Sequence, residues 1–419
     1  MLSFNETLGF PFFFVSLLLL MIFAFFFGLL FRKFGLPSVF GEIFGGLILG
    51  SSLFRQFFPE FFESSFLPAN DFLFLFYWIG LIFLIFVSGT EIRNNFSKDD
   101  HVPVLVLVVT STLLPLIIGW IGLSLIDVSE LIGSNASLDA FKIVVAAAIA
   151  ITSIPVISKI FFDLGIMKTR FSSVVLSVAS VHDILVWVLL AIATQLTNSA
   201  TLASNSIYLQ FVLTVVLLGV VIFSSTKLNE FARNLSSKDF SHTLTLNFVL
   251  IFVLFFVVVT YYLGINLIFG AMLAGIFLGT FNLPVLSSAI RHVQEFSFAF
   301  FVPIYFAIVG LKIDLIASLD FPLFFYFFVA SSLIQGLSVL LTSRLLGYSW
   351  FSSFNLSVAL NARGALGIVV ATIAFESGII SEKFFVAIVL SALVTVLLAG
   401  WWLRHVLSNG YPLLVKEKL

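Results

Sequence analysis

The sequence predicts an all-α polytopic membrane protein of about thirteen transmembrane helices, arranged as an inverted repeat. Three observations lead there. Of the 419 residues 61% are hydrophobic and only 10% charged, with a mean hydropathy of +1.19, which is more apolar chain than a soluble core needs. Stretches close to the ~20 apolar residues that cross hydrocarbon recur from Phe10 to His405, with short polar breaks between them. A series of motifs in the first half then returns, in the same order, in the second.

Taken in order, the predicted spans are 10–31, 36–53, 72–92, 102–126, 140–162, 171–196, 207–224, 243–263, 265–281, 297–317, 321–347, 351–375 and 382–406. The first lacks a basic leading region and a small-residue cleavage site, so it reads as a retained helix. Basic residues assign the sides of the membrane. Arg32, Lys33, Arg93, Lys98, Lys159, Lys168, Arg170, Lys227, Arg233, Lys238, Arg291, Arg344, Arg404, Lys416 and Lys418 fall in one set of alternate breaks, and only Arg55, Lys142, Lys312 and Lys383 in the other. That bias places the N-terminus outside and the C-terminus in the cytoplasm of a cell (inner) membrane. The absence of cysteine excludes disulfides and thiolate metal sites. A net charge of −1 with no basic run offers nothing to nucleic acid, and the 55 phenylalanines read as packing and lipid contact.

The repeat is specific in its order. GLPSVFGEIFGGLILG, Gly35 to Gly50, is echoed by GINLIFGAMLAGIFLG, Gly264 to Gly279; LIFVSGTEI, from Leu84, by IYFAIVGLKID, from Ile304; and DILVWVLLA, ending at Ala191, by SALVTVLLA, ending at Ala399. The unit near Leu36 enters from the cytoplasm and the one near Gly264 from outside, so the repeat is inverted, as in secondary transporters. The expected organisation is an extra N-terminal helix at 1–34, a first repeat at 35–200, linker helices at 201–263, a second repeat at 264–407 and a cytoplasmic tail at 408–419.

Such folds hold their cargo near the midplane, where broken helices free backbone groups. AIAITSIPVIS sets Thr152, Ser153 and Pro155 in mid-helix, and ALNARGALG sets Asn361, Arg363 and Gly364 at the corresponding place in the second half. Pro155 lacks the donor that Ile151 requires and clashes with its carbonyl, so a break is predicted there. SVASVHDILVWVLLA carries His182 and Asp183 side by side at membrane depth, where ionisable groups mark ion or proton paths by default. Ser180, one turn before Asp183, shares its face. A dehydrated monovalent cation needs several oxygens and about one negative charge, which Asp183, Ser180, Thr152 and Ser153 can supply.

From the residues alone, other roles stay open. Asp183 could instead tie two helices together. His182 is a second proton carrier, a pH sensor, or a neutral imidazole bonded to a neighbouring helix. Arg363 neutralises the empty site or pins the second break, and Glu42 lines an access path or bonds a backbone break. Lys159 and Asp163 fit an i, i+4 pair, while Glu91, Asp314 and Glu376 lie near helix ends with solvated or capping roles. With no HExxH, no GxSxG serine and no paired aspartates on separate helices, a hydrolase is not indicated.

Read together, GEIFGGLILG, LIFVSGTEIR, ITSIPVISKIFFDLGIMKTRFSSVVLSVASVHDILVWVLLA, FGAMLAGIFLG, FVPIYFAIVGLKID and NARGALGIVVATIAFESGIIS resemble the membrane domain of Kef-type monovalent cation/proton antiporters, from about Gly35 to Arg404. The resemblance implies thirteen helices in a dimerising panel and a core panel, two crossed broken helices and a homodimer in the lipid bilayer. It also implies exchange of Na⁺ or K⁺ for H⁺ by alternating access, without a cofactor. It carries Asp183 over as the essential carboxylate that binds cation and proton in turn. Thr152 and Ser153 become the hydroxyl and carbonyl ligands of the first broken helix, Arg363 the basic residue of the second, and Glu42 a glutamate common in the family.

Three features depart from the family pattern. His182 stands where an Asp or Asn is usual, and Ala365 where an acidic residue often follows the RG pair. The sequence also stops at Leu419, so no attached nucleotide-binding regulatory domain is expected. One central carboxylate implies electroneutral exchange, one proton for one cation. A Kef-like potassium efflux channel and a non-transporting ion sensor are the rival readings of the same residues.

Overall fold

A computed structural model of the protein describes residues 9–50, 53–91, 101–135, 137–197, 204–232, 242–265, 267–281 and 283–416. Among these residues the regular structure is helical. In chain order the α-helices are α1 (Gly9–Lys33), α2 (Ser38–Leu49), α3 (Phe54–Phe57), α4 (Pro59–Glu91), α5 (His101–Ser124) and α6 (Leu138–Ala150). Next come α7 (Ile154–Asp163), α8 (Arg170–Thr197), α9 (Ser204–Ala232), α10 (His242–Tyr262), α11 (Leu267–Gly279) and α12 (Pro284–Phe296). The last are α13 (Val302–Lys312), α14 (Leu315–Ser318), α15 (Phe321–Leu345), α16 (Trp350–Leu360), α17 (Gly364–Glu376) and α18 (Glu382–Ser408).

Nine of the described helices are long and apolar enough to cross a membrane, or ten if the pair α16 and α17, bent by 43°, counts as one span. Each of the thirteen predicted segments overlaps a described helix, but several of those helices are too short to count by themselves. At 12 residues α2 rises only about 18 Å, well under the ~30 Å of a hydrocarbon core. The predicted span 140–162 is divided between α6 and α7. Two boundaries also move: the helix expected from 72 begins at Pro59, and the one expected from 297 continues back through a five-residue π-helical segment, Ser297–Phe301, into α12. Arg93, Lys98, Arg233, Lys238 and Lys418, which contribute to the charge bias, lie outside the described residues.

Two compact units divide the chain, each drawing on both halves of the sequence. The first comprises Met1–Val87, Ala232–Leu254 and Phe281–Leu319. Its centre is α2, packed between α1 and α13. The GEIFGG motif makes that possible. A Cβ on Gly46 would stand 1.8 Å from the carbonyl oxygen of Ala307 on α13, and one on Gly310 would stand 2.0 Å from that of Ile43 on α2. Backbone therefore lies on backbone, an approach that only glycine allows.

The second unit comprises Ser88–Phe231, Phe255–Thr280 and Asp320–Leu419, and it holds both interrupted helix pairs. Its helices start where side chains satisfy the first free amides. Ser137 accepts from Ala140 N at 3.2 Å ahead of α6, Asp320 from Leu323 N at 2.9 Å ahead of α15, and Ser349 from Ser352 N at 3.1 Å ahead of α16. Around the interruptions pack α5 on α6, α6 on α8, α15 on α5 and α18, and α17 on α18. Lys159 and Asp163 form the expected i, i+4 ion pair near the end of α7.

Candidate ion-binding site

The first interruption lies between Ala150, the last residue of α6, and Ile154, the first of α7. Ile151 and Ser153 are extended, with ψ of 137° and 112°. Pro155 occupies the first turn of α7, where its missing N–H costs nothing, so the new helix starts there and the old one cannot run through. The second interruption lies between Leu360 and Gly364, and Gly364 opens α17 at a positive φ of 45°.

The two interruptions meet, and each satisfies backbone groups of the other. Ser153 N donates to Ala362 O at 2.9 Å, the Thr152 hydroxyl donates to Leu360 O, and Leu366 N reaches Ser153 Oγ at 3.5 Å. Gln335 Nε2 on α15 approaches Ala150 O, at the end of α6, at 3.4 Å. Irregular backbone at this depth persists only where such partners exist.

On α8, His182 and Asp183 are 1% and 0% exposed. Adjacent residues on a helix diverge by about 100°, and the pair does diverge. His182 is the one that touches the first interruption: its Nδ1 lies 3.2 Å from Thr152 Oγ1, and its Nε2 lies 2.8 Å from Ser111 Oγ on α5. Ser111 and Thr152 direct their own protons to Leu107 O and Leu360 O, so each presents a lone pair to the ring. A neutral ring, with N–H on one nitrogen, bonds both when the hydroxyl facing the other nitrogen turns its proton to it. Asp183 receives the hydroxyl of Ser88, on α4, at 3.1 Å from Oδ2. Ser88 is not among the residues picked out from the sequence, because its partner lies 95 positions away and SGT reads as ordinary small-residue packing.

The remaining candidates are distributed unevenly. Ser180 is buried, and its hydroxyl donates to Leu176 O at 2.7 Å, so it is bonded to its own helix. Arg363 is 1% exposed; its guanidinium donates to Ser331 Oγ on α15 at 2.8 Å and to Asn361 Oδ1 at 3.1 Å, and its amide reaches Thr395 Oγ1 at 3.4 Å. Among the described residues no carboxylate forms an ion pair with it. Glu42 belongs to the first unit, is buried, and hydrogen-bonds Ser38 one turn earlier on α2.

Residues 20–409 match the family described as the sodium/hydrogen exchanger, transmembrane. The chain belongs to that family. A Na(+)/H(+) antiporter of Synechocystis is 30% identical over 390 residues, covering 89% of this chain and 92% of its own. A K(+)/H(+) antiporter of Saccharomyces cerevisiae is 27% identical over 405 residues, covering 91% of this chain, which spans 45% of that longer protein. The structure of the sodium proton antiporter MjNhaP1 from Methanocaldococcus jannaschii superposes with a TM-score of 0.63 at 16% identity, covering 94% of this chain and 97% of the other. The fold is therefore that of a sodium/proton antiporter.

As a member of the exchanger family the chain is a transporter and not an enzyme. Within this exchanger, His182 braces α5, α8 and the first interruption together. Replacing it by Ala leaves the Ser111 and Thr152 hydroxyls without the ring and opens a void. We expect a loss of about 1–3 kcal/mol, read as a lower thermal midpoint of the purified protein in detergent.

Proposed function

We propose that this exchanger moves Na⁺ or K⁺ against H⁺ by alternating access, with Asp183 binding the cation and the proton in turn. The observation that carries the reading is a fully buried carboxylate on α8, one residue from the imidazole that reaches the junction of two interrupted helices. A carboxylate at that depth is tolerated when a positive charge accompanies it or a proton neutralises it. The two conditions exclude each other at one side chain, and that exclusion couples the fluxes.

Thr152, Ser153 and Ser180 supply oxygens around the cation in this reading, joined by carbonyls at the interruptions. For Ser180 this requires its hydroxyl to keep its bond to Leu176 O and offer a lone pair. Arg363, held by Ser331 and Asn361, compensates the deprotonated empty site. His182 holds Thr152 in place, and Glu42 belongs to an access path in the first unit. The repeat boundaries at 35–200 and 264–407, an outside N-terminus, an inner-membrane location and a homodimer complete the reading. They are supported by the motif order and the charge bias, and the dimer by the family resemblance. The narrower Kef-type kinship is supported by the quoted motifs alone.

A single carboxylate predicts electroneutral exchange. Proteoliposomes with an entrapped pH dye, given Na⁺, K⁺ and Li⁺ in turn, should exchange Na⁺ or K⁺ for protons at a rate unaffected by an imposed membrane potential. A rate that follows the potential contradicts one-for-one exchange. Currents far above carrier turnover without proton movement identify a channel, and cation binding without movement identifies a sensor.

A further inference from the structure

We infer that Ser88 is an oxygen ligand of the transported cation, delivered from α4 and held in register by α11. The inference rests on Asp183 being the exchange site and adds α4 to it. Several buried serines of the second unit return their protons to their own helices, Ser180 to Leu176 O, Ser343 to Val339 O and Ser391 to Ala387 O, each at 2.7 Å, while Ser357 donates to Gly336 O on α15 and Ser172 to Ile166 O. Ser88, 5% exposed, instead donates to the carboxylate of Asp183 at 3.1 Å.

The residues beside it explain why it can. A Cβ on Gly89 would stand 2.5 Å from Met272 O and 3.1 Å from Gly275 Cα on α11, and one on Gly279 would stand 2.7 Å from Thr90 O. The SGT turn of α4 thus lies against the glycine face of α11 at a distance no side chain permits. These are two of the repeated motifs, LIFVSGTEI and GINLIFGAMLAGIFLG, and the exchange reaction at Asp183 by itself requires neither. Their packing fixes the position of a single hydroxyl.

A hydroxyl suits both states of the site. With Asp183 charged, its proton points at the carboxylate, in the geometry of the 3.1 Å contact between Ser88 Oγ and Asp183 Oδ2. With a cation on the carboxylate, the proton turns away and a lone pair faces the ion, adding a ligand without adding charge.

The test uses the full chain in proteoliposomes and three substitutions. Ser88→Ala removes the oxygen, Ser88→Cys keeps nearly the same volume with a poor donor and acceptor, and Ser88→Thr keeps the hydroxyl. Loss of one hydrogen-bonding group to a charge predicts an apparent KM for the cation raised about tenfold in the Ala and Cys variants, more than the maximal rate falls. Ser88→Thr should stay within about twofold of the parent, since its hydroxyl remains. An unchanged KM in Ser88→Ala, a parental KM in Ser88→Cys, or an equal loss in all three variants overturns the inference. Asp183→Asn in the same assay separates the two claims. Exchange that persists there removes the site itself, whereas a normal KM in Ser88→Ala beside an inactive Asp183→Asn removes only the role of Ser88.

Discussion

Replacing Asp183 by Asn is expected to abolish cation-driven proton movement, with a loss of at least ~100-fold, and to leave the protein folded. Asn has nearly the shape of Asp and still accepts from Ser88, so the packing around α8 is kept. What disappears is the charge. Removing one partner of a buried charge pair costs about 3–5 kcal/mol, which corresponds to more than ~100-fold in affinity. The proton is lost with the cation, because an amide does not titrate. A pH dye inside proteoliposomes reads both losses in one trace, and size-exclusion behaviour of the purified variant separates inactivity from misfolding. Exchange at more than a tenth of the parental rate means the carboxylate lies elsewhere.

Gly364→Ala disables transport through geometry alone. Gly364 begins α17 at φ 45°, where an L side chain costs about 1–3 kcal/mol. Its new Cβ would stand 2.5 Å from Cγ2 and 2.8 Å from Cβ of Val156 on α7, a residue 4% exposed and unable to retreat. Overpacking of that kind costs roughly another 1–3 kcal/mol. The strain falls where the two interruptions pair, since Ser153 N bonds Ala362 O two residues before Gly364. Transport is expected to fall more than ~10-fold, together with the thermal midpoint. Gly122→Ala, on α5 with nothing within 4 Å of the added Cβ, is the matched control and should behave like the parent. Equal behaviour of the two variants contradicts a rigid crossing.

The sequence already displays much of this, and physical reasons limit the rest. Pro155 and the neighbouring hydroxyls mark the first interruption because proline removes a backbone donor whatever surrounds it. Arg363 and Gly364 mark the second because charge and glycine are both costly inside an apolar helix. That the interruptions bond each other, Thr152 to Leu360 across 208 positions, has no local signature. Nor has the division of labour on α8, where the imidazole and not the carboxylate reaches Thr152; neighbouring residues diverge, but only the packed helices decide towards what. Ser88 escaped notice for the same reason, its partner being far along the chain. The helix tally differs for another reason: hydropathy registers apolar segments, whereas the shortness of α2 and α11 and the gap between α6 and α7 depend on where backbone bonds end.

The most direct test of competition at Asp183 is proton release on cation binding, measured with the purified protein in weakly buffered detergent solution. The account predicts that Na⁺ or K⁺ displaces about one proton per cation bound, through linkage at one group, and that Asp183→Asn releases none. Cation binding without proton release in the parent protein, or undiminished release in Asp183→Asn, contradicts it.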